Sequence, residues 1–159
     1  MKKINLGQLI QHTANIGVLL GIVVLAVEIR MNTSAVQAQT RDSVAEKEMQ
    51  LYAWQATNPE LARVMSRLQT VAPEELETVE RQMWFGYAEA FFREHENALY
   101  QFDMGLFSEQ EFAGRIENMR LVLSSNGAFL SQWLNRRDYF SPRMQAELDR
   151  LVSESGANQ

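Results

Sequence analysis

The pattern of hydrophobic and polar positions begins with one uninterrupted apolar run. Residues 16–27 carry no charge, and Glu28, Ile29 and Arg30 follow them. This run covers about 18 Å as a helix, short of the roughly 30 Å of hydrocarbon in a bilayer. The residues back to Asn5 are all uncharged, and with them the segment is long enough for one crossing. The pattern therefore predicts a membrane anchor over residues 1–30.

Three other interpretations of this segment stay open. Residues 6–15 have one apolar and one polar helical face, which is also typical of a helix in the membrane interface or of a buried helix in a soluble assembly. The lysines at residues 2–3 and the small residues at 36–38 match parts of a secretory signal peptide. Glu28 and Arg30 would then separate the apolar run from the cleavage site, so the sequence favours an uncleaved anchor.

The rest of the chain has apolar residues at helical spacing and no sustained strand alternation. Capping and stop signals predict where its helices begin and end. The helix of the anchor is expected to continue to about residue 55, and Asn58-Pro59 starts the next helix. A long helix is predicted from Pro73 to Met104, with Gly105 as its stop. Later helices are predicted from a capping box at Ser108, a break at 124–127 and a start at Ser141-Pro142.

These signals predict an all-α fold, in which a single N-terminal transmembrane helix continues into a compact helical bundle. The anchor is followed by a helical extension at 31–57, the bundle domain at 58–152 and a flexible tail at 153–159.

The composition of the chain limits the partners and the chemical groups that it can use. The 159 residues carry a formal charge of −5, and the acidic excess lies after Arg30, which disfavours nucleic acid as a partner. The chain has no cysteine, which excludes disulfides, thiolate nucleophiles and cysteine-ligated metals. The two histidines, His12 and His95, do not form the Glu-x-x-His pairs of a bundle metal site. With no phosphate loop or nucleophile motif either, the sequence predicts no catalytic residue, cofactor or metal.

One polar strip interrupts the aromatic residues of the long helix. Its members recur at steps of three and four, so they share one helical face. This pattern fits a structural network that fixes helix register, with Arg93 buried among aromatic rings, and it also fits a site for a small polar or anionic ligand. The candidate ligand-binding residues are Glu89, Arg93, Glu96, Asn97 and Tyr100.

The anchor carries a second pattern, a seam of small residues. Ala14, Gly17 and Gly21 recur at steps of three and four, and Gly17 and Gly21 form a small-xxx-small pair that lets membrane helices approach closely. The seam predicts that the helix packs against itself or against another membrane-protein subunit.

The layout resembles a broad family of uncharacterised bacterial proteins that have an N-terminal membrane helix and a small helical domain. The resemblance covers most of the chain and implies an architecture and a cytoplasmic domain. The residues that carry it are Glu28-Ile29-Arg30-Met31-Asn32-Thr33, Arg93, Glu96-Asn97, Tyr100-Gln101, Gly105-Leu106 and Phe140-Ser141-Pro142.

The leading functional hypothesis is a membrane-anchored, non-catalytic interaction protein, an accessory subunit or scaffold of a membrane protein complex. The alternative is a small-ligand sensor that uses the polar strip. We expect a single-pass protein of the bacterial inner membrane. Its orientation is predicted with the soluble domain in the cytoplasm, because Arg30 lies nearest the membrane edge, although Lys2 and Lys3 favour the reverse.

Overall fold

The computed structural model describes residues 6–156, and helices make up almost all of them. No strand is present in this range, which confirms the all-α fold class. Two short 3-10 helices, Pro73–Glu75 and Arg137–Tyr139, lie between longer helices. The α-helices are α1 Leu6–Thr57, α2 Pro59–Arg67, α3 Thr78–Asp103, α4 Glu109–Ser125, α5 Gly127–Arg136 and α6 Pro142–Gly156.

The chain divides within α1 into a unit that ends at Gln39 and a unit that begins at Thr40. In the first unit, the large apolar side chains from Ile16 to Val27 are 51 to 62% exposed. Among residues 6–156, α1 is the one helix long and apolar enough to span a membrane, with a mean hydropathy of 1.9 in its most apolar stretch. A signal sequence near the N-terminus would satisfy the same criterion.

The second unit contains the end of α1 together with the other helices. Val44 on α1 is 2% exposed and belongs to the bundle core, so the packing of the bundle begins well before residue 58. Asn58 ends α1 and caps α2, because its side chain accepts hydrogen bonds from the backbone of Glu60 and Leu61 at 3.1 Å. Pro59 occupies the first turn of α2, as the sequence predicts.

The central helix begins later than the sequence predicts. The prediction of one helix from Pro73 to Met104 is wrong at its start, since the turn Pro73–Glu75 ends at Leu76, whose backbone is extended. Burial of the Leu76 side chain in the core fixes this break. Glu77 then caps α3, and the Glu80 carboxylate accepts a hydrogen bond from the Glu77 backbone N–H at 3.1 Å.

The end of α3 follows the predicted signal. Gly105 has a φ of 73°, the left-handed conformation that glycine adopts without strain. The Leu106 backbone N–H donates to the Gln101 carbonyl at 3.0 Å, which is the Schellman arrangement of a helix C-terminus. Ser108 and Glu111 form the predicted capping box at the start of α4.

The last two helices also begin at capping residues. The break at 124–127 is limited to Asn126, whose side chain accepts from the backbone of Ala128 and Phe129 and caps α5. Ser141 caps α6, because its hydroxyl accepts from the Met144 backbone N–H at 3.3 Å. Helix α6 continues past residue 152 to Gly156, which differs from the expected tail, and the end of that tail, residues 157–159, lies outside the described residues.

The bundle core is built around aromatic rings from α3 and α5. Phe129 on α5 lies edge-on to Trp84, with ring centroids 4.8 Å apart, and 4.9 Å from Phe91. Phe92 contacts Trp133 at 5.6 Å, and both side chains are fully buried. These contacts hold α3 in place along its aromatic faces.

Every ion pair found in the described part of the bundle uses an arginine. On α6, Arg150 bridges Glu147 at 2.5 Å and Glu154 at 2.6 Å. Arg143 contacts the same Glu147 at 3.0 Å and reaches Asp103 on α3 at 3.1 Å. The bundle surface therefore carries arginine-centred clusters, some of which connect different helices.

Candidate functional site on the central helix

The predicted polar strip lies on α3 opposite the connection between α5 and α6. Arg93 contacts Glu89 at 3.1 Å and Glu96 at 2.8 Å, both along its own helix. Its guanidinium also donates to the Tyr139 carbonyl at 3.1 Å and lies 4.2 Å above the Phe140 ring. Arg93 thus joins the central helix to the segment that enters α6.

Glu96 makes a second connection to the same segment. Its carboxylate accepts from the Ser141 backbone N–H at 2.7 Å and from Arg93. Partial burial raises the pKa of this carboxyl. The hydrogen bonds from Ser141 and Arg93 lower it by more, so the pKa lies below its usual value. The strip is therefore a network that fixes the start of α6.

Arg93 is less buried than the sequence suggests. Its side chain is 45% exposed, so the expectation of burial among aromatic rings is wrong. The ring of Phe140 covers one side of the guanidinium. Loss of the Arg93 ion pairs should therefore destabilise the protein by less than loss of a buried ion pair would.

Four of the five strip residues line one surface depression of about 410 Å³. They are Arg93, Glu96, Asn97 and Tyr100. The wall is completed by Leu99 and Asp103 on α3, by Ser141 and by Arg143 on α6. Glu89 lies outside the depression, where its carboxylate is 3.8 Å from Arg136. Ligand binding by the strip stays a prediction.

The small-residue seam of the anchor lies on the exposed surface of α1. Apart from the neighbouring turns of α1 itself, a Cβ atom added at Gly17 or Gly21 would meet no atom of the described residues within 4 Å. Space for a partner helix is therefore available beside Gly17 and Gly21. That a partner helix packs against Ala14, Gly17 and Gly21 stays a prediction.

A second polar site, which the sequence analysis does not predict, lies on another face of α3. A cavity of about 320 Å³ opens between the end of α1, α3 and α4 within the second unit. Its polar side chains are mainly carboxylates and one guanidinium, and its apolar wall is mainly aromatic. The lining residues are Glu48, Leu51, Tyr52, Tyr87, Phe91, Glu94, His95, Glu111, Gly114, Arg115, Asn118 and Met119.

Arg115 on α4 is the centre of the charges in this cavity. It donates to both oxygens of Glu94 at 2.9 and 3.1 Å and to Glu48 at 2.7 Å. Only 15% of the Arg115 side chain and 11% of the Glu94 side chain are exposed. Burial raises the pKa of the Glu94 carboxyl, and the attraction of Arg115 only partly opposes this effect.

His95 lies next to this ion pair and is 3% exposed, as the one buried polar residue in the described part of the chain. Burial lowers its pKa to about 4, and the nearby charge of Arg115 adds to this effect, so the imidazole is neutral at pH 7. Its Nε2 atom has no hydrogen-bond partner within residues 6–156. A buried nitrogen without a partner is costly unless something else satisfies it.

The sequence does contain a signal for this second site. Tyr87, Phe91, Glu94 and His95 recur at helical spacing, so a carboxylate and an imidazole share one face with two aromatic rings. Glu48 and Arg115 come from distant parts of the chain, however, and no local pattern pairs them with Glu94. In sequence alone, His95 stands out only as a possible metal ligand.

Among residues 6–156, no group of three or more histidine, cysteine, aspartate or glutamate side chains is arranged to hold a metal ion. No protein-family model, curated protein or solved structure matches this chain.

Proposed function

We propose that the chain is a single-pass protein of the bacterial inner membrane whose bundle is a non-catalytic interaction module, an accessory subunit or scaffold of a membrane protein complex. The exposure of the apolar run in α1 is the observation that carries this proposal. Nine large apolar side chains between Ile16 and Val27 are more than half exposed. Transfer of these side chains to lipid would stabilise the protein by on the order of 10 kcal/mol.

The small-residue seam supports a partner within the membrane. Because nothing in residues 6–156 covers Gly17 or Gly21, a larger side chain there is expected to clash with a partner helix and not with the rest of the bundle. Gly17→Leu and Gly21→Leu are therefore expected to disrupt an assembly without harming the fold of the chain. Ala26→Leu is the matched control, because residue 26 lies on the opposite side of the helix from residue 17.

Purification of the full-length protein in mild detergent tests the proposal. Mass spectrometry of the eluted species is expected to find a homo-oligomer or a specific partner, and light scattering gives its mass. Gly17→Leu should reduce the assembled fraction, and Ala26→Leu should leave it unchanged. A strictly monomeric species without partners in several detergents would contradict the proposal.

We place the bundle on the cytoplasmic side, on the argument that Arg30 lies at the edge of the apolar run. Fusion of a reporter that is active only in the periplasm to the C-terminus tests this orientation. An inactive reporter, together with an active cytoplasmic reporter at the same position, would support it. A strongly active periplasmic reporter would reverse the orientation and replace cytoplasmic partners with envelope partners.

The second candidate function is a sensor for a small polar or anionic ligand at the strip. It is favoured by the depression that Arg93, Glu96, Asn97 and Tyr100 share. A thermal-shift screen of small carboxylates and phosphates tests it on the full chain. A ligand that stabilises the wild type but not Asn97→Ala would support this function. If no such ligand raises the melting temperature, the strip serves only to fix α6.

A further inference from the structure

The cavity between α1, α3 and α4 has the features of a binding site for a small molecule. Its volume of about 320 Å³ lies at the lower end of the range for ligand pockets. Tyr52, Tyr87 and Phe91 supply aromatic surface, and Gly114 leaves part of the wall open. Aromatic walls with a few converging polar groups are typical of sites that bind small organic ligands.

The charges of the lining leave an acidic excess. Glu48, Glu94 and Glu111 face a single cation, Arg115. Glu111 is compensated elsewhere, because it pairs with Arg41 and accepts hydrogen bonds in the capping box of Ser108. Arg115 is then shared between two carboxylates, so the remaining lining residues carry one more negative than positive charge. The positive charge of Lys47 also acts on Glu94, but Lys47 does not line the cavity. Such a site attracts a cation and repels an anion.

His95 adds a polar atom that the chain does not satisfy. The neutral imidazole carries one N–H donor and one lone pair. Its Nε2 atom has no partner in the described part of the chain, although the residue is almost completely buried in the wall of the cavity. With the hydrogen on Nδ1, Nε2 would accept a hydrogen bond from a ligand.

We propose that this cavity binds a small organic cation, a protonated primary amine that carries an aromatic or apolar group. The ammonium group donates to the carboxylates of Glu48 and Glu94 and to Nε2 of His95. The apolar group packs against Phe91 and Tyr87, whose hydroxyl is held by Gln55 at 3.0 Å. This site is separate from the anchor and from the polar strip, and the proposal does not depend on their functions.

The two histidines of the chain make a direct test possible. Full-length protein with isotope-labelled histidine is placed in lipid nanodiscs and titrated with phenethylamine, an aromatic primary amine. Phenylacetate, an anion of matched size, is the comparison. We expect phenethylamine to shift the imidazole nitrogen signals of His95 and to show hydrogen on Nδ1, while His12 is unaffected. We expect no shift with phenylacetate.

Two variants locate the binding. Gly114→Leu fills the cavity without changing a charge, and it is expected to abolish the effect of phenethylamine, whereas Gly86→Leu on the open face of α3 should keep it. Glu48→Gln at the rim should weaken phenethylamine binding by about tenfold, the loss expected for one charge-assisted hydrogen bond. Tryptophan fluorescence checks that each variant is folded.

Three results would overturn the proposal. They are no change in the His95 signals at millimolar phenethylamine, binding of phenylacetate with equal affinity, and unchanged phenethylamine binding in folded Gly114→Leu. If Gly114→Leu fails to fold, Glu48→Gln decides, because unchanged affinity in that variant removes the carboxylates from the site.

Discussion

Acidification from about pH 6.5 to about pH 4 is expected to destabilise the bundle through His95. In the folded protein this imidazole binds a proton only near pH 4, whereas in the unfolded chain it does so near its usual value of 6.5. Burial is the main cause, the charge of Arg115 adds to it, and Glu147 opposes it. His95 therefore binds fewer protons in the folded state than in the unfolded state throughout this pH range.

The size of the effect follows from the two pKa values. The contribution of neutral His95 is fully present above the unfolded value and is lost as the pH falls toward the folded value. The loss amounts to about 3 kcal/mol, a large fraction of the 5–15 kcal/mol that stabilises a typical domain. Glu94 acts in the opposite direction, because its raised pKa favours the folded state at lower pH.

A comparison of variants separates these effects. Urea unfolding of the full chain in neutral detergent is followed by tryptophan fluorescence, which reports on the bundle because Trp54, Trp84 and Trp133 all lie in the second unit. The wild type is expected to lose stability between about pH 6.5 and pH 4. His95→Gln should lose about 3 kcal/mol less over this range.

His12→Gln is the matched control, since it removes the other histidine and should leave the pH dependence unchanged. Titration of the labelled His95 imidazole by NMR measures its pKa directly. The reasoning is refuted if His95→Gln shows the same loss of stability as the wild type, or if His95 titrates at its usual value.

The remaining predictions concern stability at neutral pH. Arg115→Ala should destabilise the bundle by about 3 kcal/mol or more, because it leaves the buried Glu94 without its partner. Arg93→Ala should cost about 1 kcal/mol, because the guanidinium is half exposed. Urea unfolding measures both variants, and equal losses of stability would contradict this ranking. Gly105→Ala should cost about 1 kcal/mol, because Gly105 has a positive φ. Gly86→Ala within α3 should instead stabilise the bundle by up to about 1 kcal/mol. Thermal unfolding of the two variants tests whether their melting temperatures shift in these opposite directions.

Local signals in the sequence predict much of the fold. Asn58-Pro59, Ser108 with Glu111, and Ser141-Pro142 cap helices where the residues indicate, because each motif satisfies backbone groups within a few residues. The start of α3 is missed because burial of Leu76, a tertiary effect, overrides the helical signal of Pro73.

The candidate sites show the same division between local and tertiary information. The strip is visible as a periodic pattern on one helix, but the exposure of Arg93 depends on where Phe140 lies. The cavity joins Glu48, Glu94 and Arg115 from three helices. No single window of sequence contains these partners, so its charge balance can be read only from the structure.

The exclusive use of arginine in the described ion pairs of the bundle has a consequence for alkaline conditions. Lys2 and Lys3 precede the described residues, and Lys47 is the only lysine within residues 6–156. Lysine loses its charge near pH 10.4, whereas the guanidinium keeps its charge beyond pH 12. The hydrogen bonds that the Arg137 and Arg150 guanidinium groups donate to carboxylates raise the pKa of both arginines further. The clusters that connect the helices should consequently survive alkaline washes, such as those that strip peripheral proteins from membranes.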